Sequence, residues 1–101
     1  MTRQVRVTPR GARDLDHILT YLNAESPQTA ERFRARFVNI LDGLIQFDTS
    51  RATRDPWYRL INMHPFPHLI FVRHRKDVIE IVAIRHGARN PRSMPARPRR
   101  P

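Results

Sequence analysis

The sequence lacks cysteine and long apolar runs, and both absences exclude whole classes of protein. Without a thiol the chain cannot form disulfides, cysteine-based zinc or iron–sulfur sites, or a cysteine nucleophile. Apolar stretches such as residues 81–84 are far shorter than the roughly 20 residues of a membrane-spanning helix. The N-terminal residues alternate polar and apolar side chains and lack the apolar stretch of a secretory signal. These absences predict a cytoplasmic protein with no membrane partner.

Lysine is almost absent as well, so arginine carries the positive charge. Of the 19 cationic residues 18 are arginine, and with nine acids the net charge is +10. Arginine suits bidentate contacts with phosphate and carboxylate groups. Half of the excess lies in residues 88–101, which contain five arginines and no acid. The modest excess in the rest of the chain predicts an acidic protein partner better than it predicts bare nucleic acid.

The length of 101 residues predicts one folded domain, which we place at residues 1–89. Residues 90–101 contain four prolines and four arginines with very few apolar side chains. Such a composition cannot build a core, because it offers too little apolar surface to bury. It predicts a C-terminal tail that is disordered when free.

Two caps predict where helices begin. Thr8-Pro9 and Ser26-Pro27 each place a hydroxyl N-cap before a proline at the first helical position. Apolar residues then recur at helical spacing, which predicts helices to about residues 23 and 48. The gap between them is short, so the helices should form an antiparallel hairpin.

The remaining segments predict strands and one loop. Residues 3–8 alternate with period two, and residues 57–63, 68–74 and 77–85 are strand candidates, the last two rich in Ile, Val and Phe. The polar residues 49–56 predict a loop. The result is an α+β fold in the order strand–helix–helix–three strands. We expect a small antiparallel sheet with the helical hairpin packed on one face.

Several segments, in a fixed order, carry a resemblance to a known family. They are ARDLDHILTYL at 12–22, SPQTAERF at 26–33, RL at 59–60, FPHLIF at 66–71 and IRHGARNP at 84–91. Over about residues 4–91 the sequence resembles the ParE branch of the RelE/ParE toxin superfamily. It departs from the usual pattern at Val72, where tyrosine is common, and at Asn90, where aspartate is common. An aromatic residue often lies shortly after Pro91 in the family, but this chain has only Met94 there.

The resemblance implies a RelE/ParE-like fold and the toxin of a type II toxin–antitoxin module. Members of this branch inhibit DNA gyrase by trapping it on cleaved DNA, and a ParD-like antitoxin neutralises them. The resemblance therefore implies no catalytic residues and no cofactor. It also implies a hetero-oligomer with an antitoxin, whose acidic segment would complement the basic chain, and contact with DNA mainly through gyrase.

Basic residues on or beside the predicted strands are the candidates for target contact. They are Arg59, Arg73, Arg85, His86 and Arg89. In the structural alternative, His86 and Arg89 would bond to nearby backbone or to an acid such as Asp14. Antitoxin-binding residues are not assigned, but the exposed sheet edge and the groove beside the helical hairpin are the expected docking surface.

Two other functions stay open on the sequence. A ribosome-dependent mRNA endoribonuclease of the RelE branch needs a base, an acid and cations around the phosphate. His86 and Tyr58 could serve as the acid and the base. The chain has only one lysine and no tyrosine after Tyr58, however, so the catalytic set typical of that branch is incomplete. The other alternative is an autonomous nucleic-acid-binding module. In such a module Trp57 would stack on bases instead of packing at the edge of the core. The arginines of the second helix would bind phosphate instead of facing solvent.

Four histidines raise the possibility of a metal site. Prolines on both sides of residue 66 prevent a helix between His64 and His68, and His74 and His86 are distant in sequence. His64 and His68 are four residues apart but not on a helix, so no pair has the helical i, i+4 geometry of metal ligands and a metal site is disfavoured. His68 and His74 share one side of a strand, and we expect that side to be partly exposed.

Overall fold

The computed structural model describes residues 4–87 as two helices and five strands. In chain order these are β1 (Gln4–Val7), α1 (Pro9–Glu25), α2 (Pro27–Gln46), β2 (Arg51–Ala52), β3 (Arg59–Asn62), β4 (His68–Arg75) and β5 (Val78–His86). The α+β class and the predicted element order are confirmed, and β2 is an addition within the predicted loop. Neither described helix is long and apolar enough to cross a membrane. The predicted tail at residues 90–101 lies outside the described residues.

Both helices begin at the predicted hydroxyl caps. The side chain of Thr8 accepts a hydrogen bond from the Gly11 N–H at 3.1 Å, and that of Ser26 accepts one from the Thr29 N–H at 3.3 Å. Ser26 also ends α1, because its own N–H donates to the Leu22 carbonyl at 2.7 Å. One residue thus ends the first helix and begins the second, which produces the tight reversal of the hairpin.

The strands form a single sheet in the order β1-β5-β4-β3-β2. The pairs from β2 to β5 are antiparallel, as expected for the C-terminal strands. β1 pairs parallel with β5, so the sheet is mixed rather than wholly antiparallel. Parallel neighbours require a long connection, and the connection from β1 to β5 contains the whole helical hairpin.

Apolar residues divide between the two faces of the sheet. The main core contains residues of α2 and of one sheet face: Phe33, Phe37, Ile40, Leu44, Ile61, Met63, Ile70, Val72, Ile79, Ile81 and Ile84. A second cluster is centred on Tyr58, Phe71, Val82 and Ala83 and contains no helical residue. The helices therefore cover one face, and the second cluster lies on the other.

A β-bulge in β5 sets which residues face the helices. Phe71 pairs with Ala83 and Val72 pairs with Ile81, so Val82 is an extra residue on β5. Such a residue moves every side chain that follows it on the strand to the opposite face of the sheet from the one it would otherwise occupy. The bulge therefore determines the faces occupied by the last residues of β5, two of which are candidates for target contact.

The start of α1 docks directly on this bulge. The Thr8 hydroxyl donates to the Ile81 carbonyl at 3.0 Å, and the Asp14 carboxylate accepts from the Ile84 N–H at 3.0 Å. Gly11 lies between them, so close that a Cβ added to it would stand 2.6 Å from the Ile81 carbonyl oxygen. The ladder between β1 and β5 ends at Ile81, and α1 with its cap satisfies backbone groups of β5 at and beyond that residue, which fixes the helix on the sheet.

Candidate functional site

Two of the predicted contact residues lie on the sheet face opposite the helices. The guanidinium carbon of Arg73 is 3.8 Å from the ring centroid of Trp57, which packs on the second cluster. Arg85 is the cross-strand partner of Leu69, which packs on the same cluster. Cross-strand partners share a face, so we call this surface, with Trp57, Arg73 and Arg85, the arginine face. Arg73 lies four residues along β4 from Leu69, so the two arginines are about 13 Å apart along the strand direction.

Arg59 has a different environment, inside a network that holds the loop after α2. Its Nε donates to the Ser50 hydroxyl at 2.7 Å, and its Nη2 donates to the Ser50 carbonyl at 2.6 Å. The Ser50 N–H and hydroxyl in turn donate to the Asp48 carboxylate. The other oxygen of that carboxylate lies 2.8 Å from Nε2 of His74. The network joins this loop to β3 and β4.

Asp48 is the charged centre of the network. Burial by itself raises the pKa of its carboxyl group. The hydrogen bonds from Ser50, together with the electrostatic effects of His74 and Arg59, outweigh that effect and hold the pKa below the ordinary value of 3.8. The carboxylate is therefore ionised at neutral pH and anchors Ser50, which in turn accepts the two hydrogen bonds from Arg59.

His86 lies on the helix side of the sheet rather than on the arginine face. Its ring packs edge to face on His68 at a centroid distance of 5.1 Å, and His68 packs on Phe33 of α2 at 4.9 Å. His68 is only 8% exposed, so its expected position on a partly exposed surface is wrong, whereas His74 on the same strand is exposed. The reason is that α2 covers the His68 end of β4.

The four predicted contact residues that the structure describes therefore do not share one surface. Arg73 and Arg85 share the arginine face, Arg59 is engaged by Ser50, and His86 packs against another ring. Arg89 lies outside the described residues. Strand register and the bulge separate side chains that are all basic in sequence.

A groove of about 370 Å³ lies between α2 and the outer edge of β3. Ile40, Leu60 and Ile61 form its apolar part, and Arg36 and Arg51 form its basic part. We call it the edge groove. It lies at one of the two places where the sequence predicts a docked partner, the exposed edge of the sheet.

A second depression, of about 280 Å³, lies between the two helices. Leu19 and Ala30 line its apolar part, and Glu31 and Arg34 place opposite charges at its side. This is the other place where a partner is expected, beside the helical hairpin. Its mixed charge gives it less preference for an acidic ligand than the edge groove has.

The groups required by the nuclease alternative are not assembled among residues 4–87. Tyr58, the second acid–base candidate, is 1% exposed and packs edge to face on Phe71 at 6.1 Å. His86 and Arg85 point to opposite faces of the sheet.

Among residues 4–87 no three His, Asp or Glu side chains come together as metal ligands. The ring contact between His68 and His86 was not expected, because it follows from strand pairing.

The turn at Asp48–Ser50 lies at the start of a segment predicted only as a loop. An Asp followed two residues later by Ser, directly after a helix, is a typical Asx-turn sequence and could have revealed it. The turn determines where the chain leaves the edge of β3, and it engages Arg59. Its role in shaping the edge groove becomes visible only in three dimensions.

Comparisons with known proteins agree with this architecture. A family model described as "ParE toxin of type II toxin-antitoxin system, parDE" matches residues 5–91. Toxin ParE2 of Mycobacterium tuberculosis is 31% identical over 97 residues, which cover 95% of this chain and 92% of that one. A solved chain of the "Chromosomal ParDE TA system from P. aeruginosa" has a similar fold, with a TM-score of 0.72 and 22% identity, covering 84% of this chain and 96% of that chain. The chain belongs to the ParE toxin family of type II toxin–antitoxin systems.

Proposed function

We propose that this ParE-family toxin inhibits DNA gyrase in the cytoplasm by trapping it on cleaved DNA, and that a ParD-like antitoxin neutralises it. The arginine face is the observation that carries the proposed target. It presents two guanidinium groups beside an aromatic cluster, on the side of the sheet that the helices do not cover. Guanidinium groups suit the phosphates of cleaved DNA and carboxylates of an enzyme bound to it.

Inhibition without turnover fits the chemistry of the described residues. An inhibitor needs affinity for the gyrase–DNA complex, whereas a nuclease needs groups that accept and donate protons at the scissile phosphate. The Trp57 ring holds the Arg73 guanidinium in place, and a fixed cation is well suited to binding. The buried hydroxyl of Tyr58 is poorly placed to serve a nuclease.

A gyrase cleavage assay tests the proposal directly. The full chain is incubated with gyrase, ATP and supercoiled plasmid, and detergent and protease then release any trapped break as linear DNA. We expect linear DNA to increase with toxin and to disappear when the cognate ParD-like antitoxin is added first. A folded chain that neither traps linear DNA nor inhibits supercoiling would refute the proposal. Cleaved mRNA in a translation extract would instead favour the nuclease.

A matched pair of variants assigns the effect to the arginine face. Arg85→Ala removes a cation from that face, and Arg13→Ala removes an exposed cation from α1. We expect Arg85→Ala to need about tenfold more protein for the same trapping, as the loss of one charge-assisted contact predicts. Arg13→Ala should behave like the wild type. If both variants trap gyrase equally well, the target does not contact Arg85 on the arginine face.

A further inference from the structure

The outer edge of β3 is only partly paired within the described residues. β2 pairs with Leu60 and Arg59 and reaches no further along β3. Met63 donates its N–H to the His68 carbonyl of β4 at 3.0 Å. Successive residues of a strand direct their N–H and C=O groups to opposite sides, so those of Asn62 point away from β4. An N–H donor and a C=O acceptor therefore face the edge groove.

The Asp48–Ser50 turn keeps this edge open. On the line of β2, Ser50 would lie opposite Ile61 and Thr49 opposite Asn62, but the Ser50 N–H donates to the Asp48 carboxylate at 2.9 Å and holds residues 48–50 in a turn. The Ser50 carbonyl accepts from Arg59 at 2.6 Å. The ladder between β2 and β3 therefore contains only Arg51 and Ala52, Thr49 does not pair with Asn62, and the groove lies between this edge and α2.

The charges around the groove have one sign. Arg36 and Arg51 line it, no acid does, and neither guanidinium forms an ion pair with a carboxylate of residues 4–87. Arg36 is held in place, because its Nε donates to the His64 carbonyl at 2.9 Å. A fixed guanidinium loses less side-chain entropy when it binds a carboxylate.

These features identify one kind of occupant. The open backbone groups suit an extended peptide, which can add to a sheet edge by main-chain hydrogen bonds. The apolar floor of Ile40, Leu60 and Ile61 suits aliphatic side chains better than a sugar–phosphate backbone. The chain's own residues 88–101 are basic, and a second copy has a net charge of +10, so both are repelled. An acidic segment of another protein satisfies all of these conditions.

We propose that the edge groove binds an extended acidic segment of the antitoxin, with carboxylates on Arg36 and Arg51 and main-chain pairing to Asn62. The inference rests on the proposed neutralisation by a ParD-like antitoxin and assigns its docking place. A volume of about 370 Å³ admits a few side chains, so this contact is one anchor within a larger interface.

Affinity measurements with two variants and one control test the assignment. Arg51→Glu reverses a charge at the groove. Gly43→Gln places a long side chain in it from α2, where an added Cβ meets no atom within 4 Å. Arg75→Glu makes the same charge change at the β4–β5 hairpin, away from both depressions. Binding of the cognate ParD-like antitoxin is measured by calorimetry, with thermal unfolding as the check that each variant is folded.

We expect Arg51→Glu and Gly43→Gln each to weaken antitoxin binding at least about tenfold, and Arg75→Glu to change it about threefold or less. Hydrogen exchange of the Asn62 amide should slow in the wild-type complex. If both groove variants bind as Arg75→Glu does, or if the amide exchanges unchanged, the groove assignment is wrong while neutralisation stands. If the wild-type chain does not bind the antitoxin, both the groove assignment and the proposed neutralisation are wrong. If Arg51→Glu weakens binding to plasmid DNA but not to the antitoxin, the groove is a phosphate site.

Discussion

Substitution of Gly11 by alanine tests how the first helix is held on the sheet. Gly11 belongs to the first turn of α1 and rests on the bulged strand, and an added Cβ would stand 2.6 Å from the Ile81 carbonyl oxygen. That oxygen belongs to the backbone and also accepts from the Thr8 hydroxyl. It cannot rotate away as a flexible side chain could, so α1 must shift from the sheet.

The size of the effect follows from two opposing terms. Overpacking a well-packed contact costs about 1–3 kcal/mol, and a shift of α1 would also strain the bond from Asp14 to the Ile84 N–H. Alanine recovers at most about 1 kcal/mol of helix propensity relative to glycine. We therefore expect Gly11→Ala to lose about 1–2 kcal/mol of unfolding free energy. For a domain of this size that lowers the Tm by roughly 5–15 °C.

The same substitution at Gly43 is the matched control. Gly43 lies within α2, where an added Cβ meets no atom within 4 Å. Only the propensity term applies there, so Gly43→Ala should gain about 0.5–1 kcal/mol. Urea and thermal unfolding by circular dichroism measure both variants. If Gly11→Ala is as stable as the wild type while Gly43→Ala shows its expected gain, the close contact with the Ile81 carbonyl does not hold α1 on the sheet.

Three further predictions concern the Asp48 network and the β4–β5 turn. The pKa of Asp48 is lowered in the folded state, so its stabilising effect is complete above about pH 5 and is lost as the pH falls through the folded pKa. Asp48→Asn should therefore flatten the loss of Tm between about pH 5 and pH 2, and an unchanged slope would contradict this. Arg59→Ala removes two hydrogen bonds to Ser50 and should cost about 1–2 kcal/mol in urea unfolding. If it reduces gyrase trapping with no loss of stability, Arg59 is a contact residue. Lys76 has a φ of 51°, so Lys76→Gly should raise the Tm by a few degrees, and a fall would show that this backbone is unstrained.

Local patterns predicted the elements because each depends on neighbours in sequence. Thr8-Pro9 and Ser26-Pro27 begin helices at the predicted residues, since capping involves only the next three residues. The strands β4 and β5 follow from dense β-branched and aromatic residues. The two-residue β2 was not predicted, because nothing in its own composition requires pairing. Its position depends on β3 and on the turn at Asp48.

The candidate site could be predicted only in part. The sequence identifies the basic residues near the strands, but which of them share a surface depends on strand register. The extra residue at Val82 changes the alternation of β5, and no local feature of the sequence shows it. It places Arg85 with Arg73 on the arginine face and His86 beside His68. The network around Arg59 likewise joins residues of three different segments.

The helix caps, most strand segments, the excess of arginine and the resemblance to a toxin family can all be recognised in the sequence. These follow from local propensity, composition and an ordered set of motifs. The folded structure is needed to show which cations share a face and that β1 joins β5 in parallel. It is also needed to show that an open strand edge meets two arginines that have no acidic partner among residues 4–87. Pairing and register are long-range properties, because they depend on which segments meet after the chain has folded.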